Sequence, residues 1–336
     1  MTYYLIGICA LLAAFFAANA AGSLAAACAW RAARALAARR LSSAARADLA
    51  FALRTAPTAL AAAFTAALLA PAYFANEPAH TGEAVSAKLA ALALLSAAGF
   101  AAAAWRCAAS LVATRRVSSS LMRRATPFAA GGAGVAVMRV EHRLPLVAVV
   151  GVFRPKVFVA TSVFDALGED ELRAAVAHEL GHVSSRDNLK RTLMRACRDA
   201  LPAAPFARAL ERAWDEESEG AADEFAARAG GAQAAVALAS ALVKIARLMP
   251  AEGFDKRAAI ALLVDGGAGV AGRVDRLLNI ADEPATGARS SRPNLRRHAA
   301  AACTLVAFAA VALLAAQPHV TRALYSALEH VVSALS

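Results

Sequence analysis

Cysteine is too sparse and too scattered in this chain to build anything. Cys9, Cys28, Cys107, Cys197 and Cys303 form an odd set without a Cys-x-x-Cys pair, which excludes a disulfide framework and a thiolate metal site. Four of them fall within or beside apolar blocks, where cysteine behaves as a small hydrophobe. Aromatic residues are also few, at 6% of the chain. No RNP-like aromatic pattern and no zinc-finger spacing accompanies the arginines, so the net charge of +11 does not point to nucleic acid. No basic residue precedes the first apolar run, and that run is too long for a signal-peptide core.

What the sequence has in abundance is uninterrupted apolar length. The hydrophobic fraction is 59%, and the charges are crowded between long apolar blocks. Residues 3–29, 55–75, 89–113 and 299–317 are each long enough to span a bilayer as a helix and show almost no polar stripe. Pro57 stands near the start of the second, a position a membrane helix tolerates. Arginines flank these blocks: Arg31, Arg34, Arg39, Arg40 and Arg46 after the first, Arg115, Arg116, Arg123 and Arg124 after the third, Arg292, Arg296 and Arg297 before the fourth. The loop between the second and third spans carries almost none. By the positive-inside rule the N-terminus faces outward and residues 114–297 are cytoplasmic, in an inner or plasma membrane. The expected organisation is a three-helix section over 1–113, a cytoplasmic domain over 114–297, a fourth span over 298–318 and a short external tail over 319–336.

The cytoplasmic block reads as mixed α and β. Residues 135–140, 146–152 and 156–160 are β-rich runs. Ser162 and Asp165 suggest a capping-box variant opening a short helix over 163–167. Glu169, Asp170 and Glu171 place acid at the start of a helix expected to run to about Met194. Helical composition continues through Leu278, with breaks expected near 202–205, at Gly230-Gly231 and near 250–253.

Inside that helix stands Ala177-His178-Glu179-Leu180-Gly181-His182. Two histidines four apart project from one helical face, so both imidazoles can reach a single ion. Glu179 points into the same cleft as general base, able to take a proton from water that zinc has acidified. Chance alone would produce this pattern in roughly one chain of this length per hundred at average composition, so a third ligand is needed. Downstream, Glu219 and Asp223 share a helical face, again four apart. Glu219 is placed to complete the ligand set, and Asp223 to accept the free N–H of a metal-bound histidine. Glu216 and Glu217 are rivals; the small residues Gly220, Ala221 and Ala222 favour Glu219 by letting two helices approach closely.

Residues 151–191, with Arg154-Pro155, His178–His182 and Arg186-Asp187, together with Glu219-x-x-x-Asp223, resemble the integral-membrane zinc proteases of the BlaR/MecR β-lactam-sensor type. The layout of three spans, a cytoplasmic domain and a fourth span resembles that family too. The resemblance implies a mostly α membrane protein with a cytoplasmic α+β zincin-type (gluzincin) metalloprotease domain built around a small sheet. It also implies Zn2+ as cofactor, Glu219 as third ligand, Asp223 beside the ligands and Asp187 as a partner near the metal helix. Only residues 319–336 follow the fourth span, without Ser-x-x-Lys, so β-lactam sensing is not expected.

The expected function is therefore a zinc endopeptidase acting on a cytoplasmic or membrane-proximal protein, with a transcriptional repressor as one candidate partner and a homodimer as one assembly. The HtpX/CAAX-prenyl-protease family shares the same motifs but places spans between the second histidine and the glutamate. Here seven basic residues between 183 and 218 leave no room for one. A non-catalytic signalling protein with a retained zinc site is the third reading, and the intact Glu179 argues against it. His80, His142, His298, His319 and His330 carry no comparable pattern. The strand over 146–152, just upstream of the metal helix, is a candidate edge on which a peptide could add a strand.

Overall fold

The computed structural model describes residues 2–77, 85–128, 135–201, 207–249, 269–282, 313 and 317–335. Helix α1 spans Thr2–Arg40 and α2 spans Ser43–Phe64; α2 passes through a π turn at Thr65–Leu69 into α3, Ala70–Asn76, and α4 spans Ala87–Met122. These helices are longer than the apolar runs that seed them. The basic segment after the first span is largely a helical continuation, and the α1–α2 connection is only the corner around Leu41-Ser42. Ser42 caps α2 by accepting the Ala45 N–H. Inside the bundle the polar Asn19 is fully buried and accepts hydrogen bonds from Thr58 and Ser23.

A mixed sheet follows: β1 (Ala125–Phe128), β2 (Val137–Val140), β3 (Val147–Val150) and β4 (Lys156–Ala160), in the order β1-β2-β4-β3. β1 was not expected; four residues that include Pro127 give too weak a β signal, and pairing with β2 creates the strand. The hairpin between β3 and β4 turns at Gly151, whose φ of 120° excludes a side chain. Helix α5 spans Thr161–Ala166 and has no side-chain cap. The capping box expected from Ser162 and Asp165 therefore does not form; Ser162 Oγ is buried without a partner.

Helices α6 (Glu169–Ser185) and α7 (Asp187–Asp199) replace the single helix expected to run to Met194. The break is at Arg186, which sits in the left-handed region with φ 56° and ψ 40°. No glycine or proline marks it. The turn carries Asp187 back toward the end of α6, which offsets the strain of a non-glycine residue there. Helix α8 (Ala207–Leu248) kinks at Gly230-Gly231, as expected; α9 spans Gly269–Asp282 and α10 spans Pro318–Leu335. The expected tail is thus an amphipathic helix, packed through Leu328, Tyr325 and Val332 onto Ala10 and Tyr73 of the bundle.

Among the described residues, four helices are long and apolar enough to cross a membrane: Tyr3–Ala38, Ser43–Asn76, Ala87–Met122 and Arg208–Leu248. The first three are the expected spans and make this a multi-pass membrane protein. The fourth is α8. Its first half carries Glu211, Asp215, Glu216, Glu217, Glu219, Asp223 and Glu224, each costly in hydrocarbon. Its second half buries Leu238, Ala241, Leu242 and Ile245. We therefore read α8 as a helix of the folded domain. The span expected over 299–317 lies outside the described residues, apart from 313 and 317, as do His80, His298 and the breaks expected near 202–205 and 250–253.

Two apolar clusters assemble the domain. Val157, Val159, Val163, Ala175, Val176, Ala241 and Ile245 pack sheet, α6 and α8 together; Ala174, Ala226, Leu238, Leu242 and Leu277 join α6, α8 and α9. A third, with Trp30, Ala47 and Ala50 against Met194, Leu210 and Trp214, fastens the bundle to α7 and α8. Ion pairs reinforce it. The buried Arg54 meets Glu211 at 3.2 Å, Arg46 meets Glu217 at 2.7 Å and Arg106 meets Asp199 at 2.8 Å. The bundle therefore leans on the same helix that carries Glu219.

Candidate metal centre and active site

His178 and His182, one turn apart on α6, turn their Nε2 atoms toward each other at 3.2 Å. Glu219 of α8 faces both, with Oε2 at 3.5 Å from His178 Nε2 and Oε1 at 3.5 Å from His182 Nε2. Ligand atoms bonded at about 2.0–2.1 Å to one tetrahedral zinc lie about 3.3 Å apart, so the donor set fits that ion in type and spacing. These three side chains form a group able to hold a metal.

The far side of each ring is held by a carboxylate. Asp223 Oδ1 is 3.0 Å from His178 Nδ1, and Asp187 Oδ2 is 2.7 Å from His182 Nδ1. Both pairs orient the rings so that Nε2 is left free to face an ion. The first pair depends on the i, i+4 spacing of Glu219 and Asp223 along α8. The second depends on the left-handed turn at Arg186.

Close approach of α6 and α8 brings these groups together. A Cβ on Gly181 would lie 3.1 Å from Ala222 Cα and 3.3 Å from Phe225 Cβ, tighter than ordinary contact. Ala222 is thus the small residue that faces the metal helix. Gly220 faces elsewhere: a Cβ there would meet Ser43 Oγ at 3.0 Å and Arg276 Nη1 at 2.6 Å, so it admits the α1–α2 corner and α9. The rivals are accounted for. Glu217 pairs with Arg46, and Glu216 is exposed.

Sequence reasoning missed one residue. Arg273 of α9 places Nη2 2.6 Å from Asp223 Oδ1 and Nη1 3.0 Å from Glu219 Oε2, with Nη2 3.3 Å from both nitrogens of the His178 ring. Nothing near Gly-Arg-Val-Asp-Arg marks it as special. The available signal was the surplus of buried acid at 219 and 223, which demands a cation.

Electrostatics follow from burial against these partners. For Glu219, burial opposes ionisation, but His178, His182 and Arg273 together hold the carboxyl below the usual carboxylate range. Asp223 is lowered in the same way, against burial, by His178 and Arg273. For His178, burial and Arg273 favour the neutral ring, but hydrogen bonds to Asp223 and Glu219 outweigh them and raise it to about 9. Burial pushes Glu179 up; His178 and His182 oppose that and Glu219 adds to it.

The site opens on a cleft of about 250 Å3 lined by Glu179, the two histidines, Glu219, Arg273 and residues 144–149 along β3. Among the described residues β3 pairs only with β4, and its other edge borders this cleft. Among the remaining histidines, His142 closes a local turn by accepting the Leu144 N–H, and His319 and His330 lie on α10.

Residues 113–216 match the family model described as Peptidase family M48. Over these residues the chain is similar to the M48 metallopeptidases. The match includes β1 to β4 and both histidines of α6, and it ends just before Glu219. It makes the protein a zinc peptidase, a peptide-bond hydrolase, and it does not single out the BlaR/MecR-type subfamily. No curated protein and no solved structure matches the chain. Among the described residues, the end of α6, α7 and the start of α8 lie between His182 and Glu219, and the acidic first half of α8 is the part read above as belonging to the folded domain.

Proposed function

We propose that this protein is a membrane-integral endopeptidase that cleaves a cytoplasmic or membrane-proximal protein. His178, His182 and Glu219 hold zinc, and Glu179 is the general base. The observation that carries this reading is the pair of Nε2 atoms at 3.2 Å, each ring backed by its own carboxylate, with Glu219 across from both. The bound ion would supply Lewis acidity, polarising the scissile carbonyl and lowering the pKa of water to about 7.

The chain's own groups do the rest. Glu179, adjacent to His178 on the cleft wall, takes the proton from the attacking water and delivers it to the departing amine. Its raised pKa suits a group that must both accept and return a proton. Arg273 balances the buried carboxylates of Asp223 and Glu219, which hold the ligand set in place. The open edge of β3 accepts the substrate as an added strand.

The arginine flanks support an outward N-terminus and a cytoplasmic catalytic domain. Resemblance to the sensor-type proteases supports a regulatory substrate such as a repressor. The test compares cellular protein fragments between wild type and Glu179→Gln. Fragments present only with the wild type, at equal zinc content, are expected; an identical fragment pattern would sink the general-base assignment.

A further inference from the structure

The open edge of β3 carries a pattern that limits how a peptide can lie on it. In an antiparallel pair, successive residues point their backbone groups alternately toward and away from the partner strand. The Leu146 carbonyl accepts the Ala160 N–H at 2.7 Å. Leu146, Ala148 and Val150 therefore face β4, and Val147, Val149 and Gly151 face the open edge.

Part of that outward row is already occupied. Asn188, in the first turn of α7, donates from Nδ2 to the Val149 carbonyl at 3.2 Å and to the Gly151 carbonyl at 2.9 Å. One amide group has two N–H donors, and both are spent on the strand edge. On the other side the edge ends at once. Leu146 N–H donates to the Leu144 carbonyl at 2.8 Å, closing a tight turn centred on Pro145, which has no N–H. Between these stops only Val147 keeps both its N–H and its carbonyl without a partner among the described residues. Val149 keeps its N–H alone.

Asn188 also stands at a boundary in space. It lines the metal cleft and a second hollow of about 360 Å3 beyond it, walled by Gly151, Val152, Phe153 and Pro155. A peptide extended along β3 from one hollow to the other meets the Asn188 side chain across its path.

We propose that Asn188 is a specificity-determining residue that sets the register of the substrate. A peptide makes one complete two-bond pair, at Val147, and Asn188 prevents the next pair at Val149. The cleaved bond then stands at a fixed distance from that single pair. The substrate class that fits is a short extended segment, with its remaining affinity supplied by side chains and by tethering near the membrane. A long regular strand does not fit. This inference rests on the peptidase reading above.

The test uses the full-length, zinc-loaded protein in detergent with unfolded β-casein as probe, mapping fragment ends by mass spectrometry. Asn188→Ala frees the Val149 carbonyl and opens a second pair two residues along, so new fragment ends displaced by two residues are expected. Asn188→Asp keeps the shape but replaces the donors with acceptors, and the same displaced ends are expected. Zinc content should stay at the wild-type level in both. Fragment ends identical to wild type in both variants would overturn the proposal. Casein cleavage by Glu179→Gln at the wild-type rate would instead overturn the general-base reading and leave the register result standing. A turnover-free readout covers the case in which casein is not cut. Amide exchange over residues 144–151 of zinc-loaded Glu179→Gln should slow on adding casein, and slow further with Asn188→Ala; no change in either protein would overturn the proposal.

Discussion

Replacing Arg273 with methionine keeps most of the aliphatic stem and removes the cation that faces two buried acids. The guanidinium contacts Asp223 at 2.6 and 3.2 Å and Glu219 at 3.0 Å, and Asp223 is fully buried. Removing one partner of a buried ion pair costs about 3–5 kcal/mol, because the other charge is left uncompensated. Here the lower end applies, since His178 remains 3.0 Å from Asp223 and carries a proton below about pH 9. A loss of about 3 kcal/mol corresponds to a fall of roughly 10 °C in thermal midpoint for a domain of this size. The assay is thermal unfolding in detergent of chelator-treated and zinc-loaded protein. Zinc brings positive charge to Glu219, so the zinc-loaded variant should lose less than half as much as the chelator-treated one. An unchanged midpoint after chelation, or an equal fall with and without zinc, would refute this account of how the acids are balanced.

Gly181→Leu should separate α6 from α8, because even a Cβ there meets Ala222 Cα at 3.1 Å. Overpacking costs about 1–3 kcal/mol, and Glu219 would move away from the histidines; zinc content well below one per chain, with the bundle still folded, is the expected result. Full zinc occupancy would show that the close approach is not needed. The pH dependence has a definite sign. Because His178 is raised from 6.5 to about 9 in the folded protein without metal, its contribution to stability is full below about pH 6.5 and is lost as pH rises through 9. Zinc must displace that proton, so its apparent affinity should climb over the same interval, and the midpoint gap between zinc-loaded and chelator-treated protein should widen. A constant gap from pH 6.5 to 9 would contradict it.

The parts of this site that the sequence revealed are those set by helical periodicity. His178 with His182, and Glu219 with Asp223, are each four apart, and that spacing fixes their common face before any tertiary contact is known. The three bundle helices were legible for a similar reason: apolar length is a local property. What escaped depends on contacts between distant segments. The left-handed turn at Arg186 has no glycine to announce it, and only the folded domain shows it carrying Asp187 to His182. β1 exists because β2 offers it a partner. Arg273 follows the histidines by ninety-odd residues, and its role appears only when α9 lies against α8 and buries two acids beside it. Ser162 shows the opposite failure: a local capping pattern that the packing of α5 overrides.

The most direct test of the metal centre is X-ray absorption at the zinc edge of the purified full-length protein. The geometry predicts two imidazole nitrogens and oxygen donors at about 2.0–2.2 Å with no sulfur, one zinc per chain, and loss of one imidazole in His182→Ala. A spectrum with sulfur ligands, or one unchanged by that substitution, would contradict the His178–His182–Glu219 site.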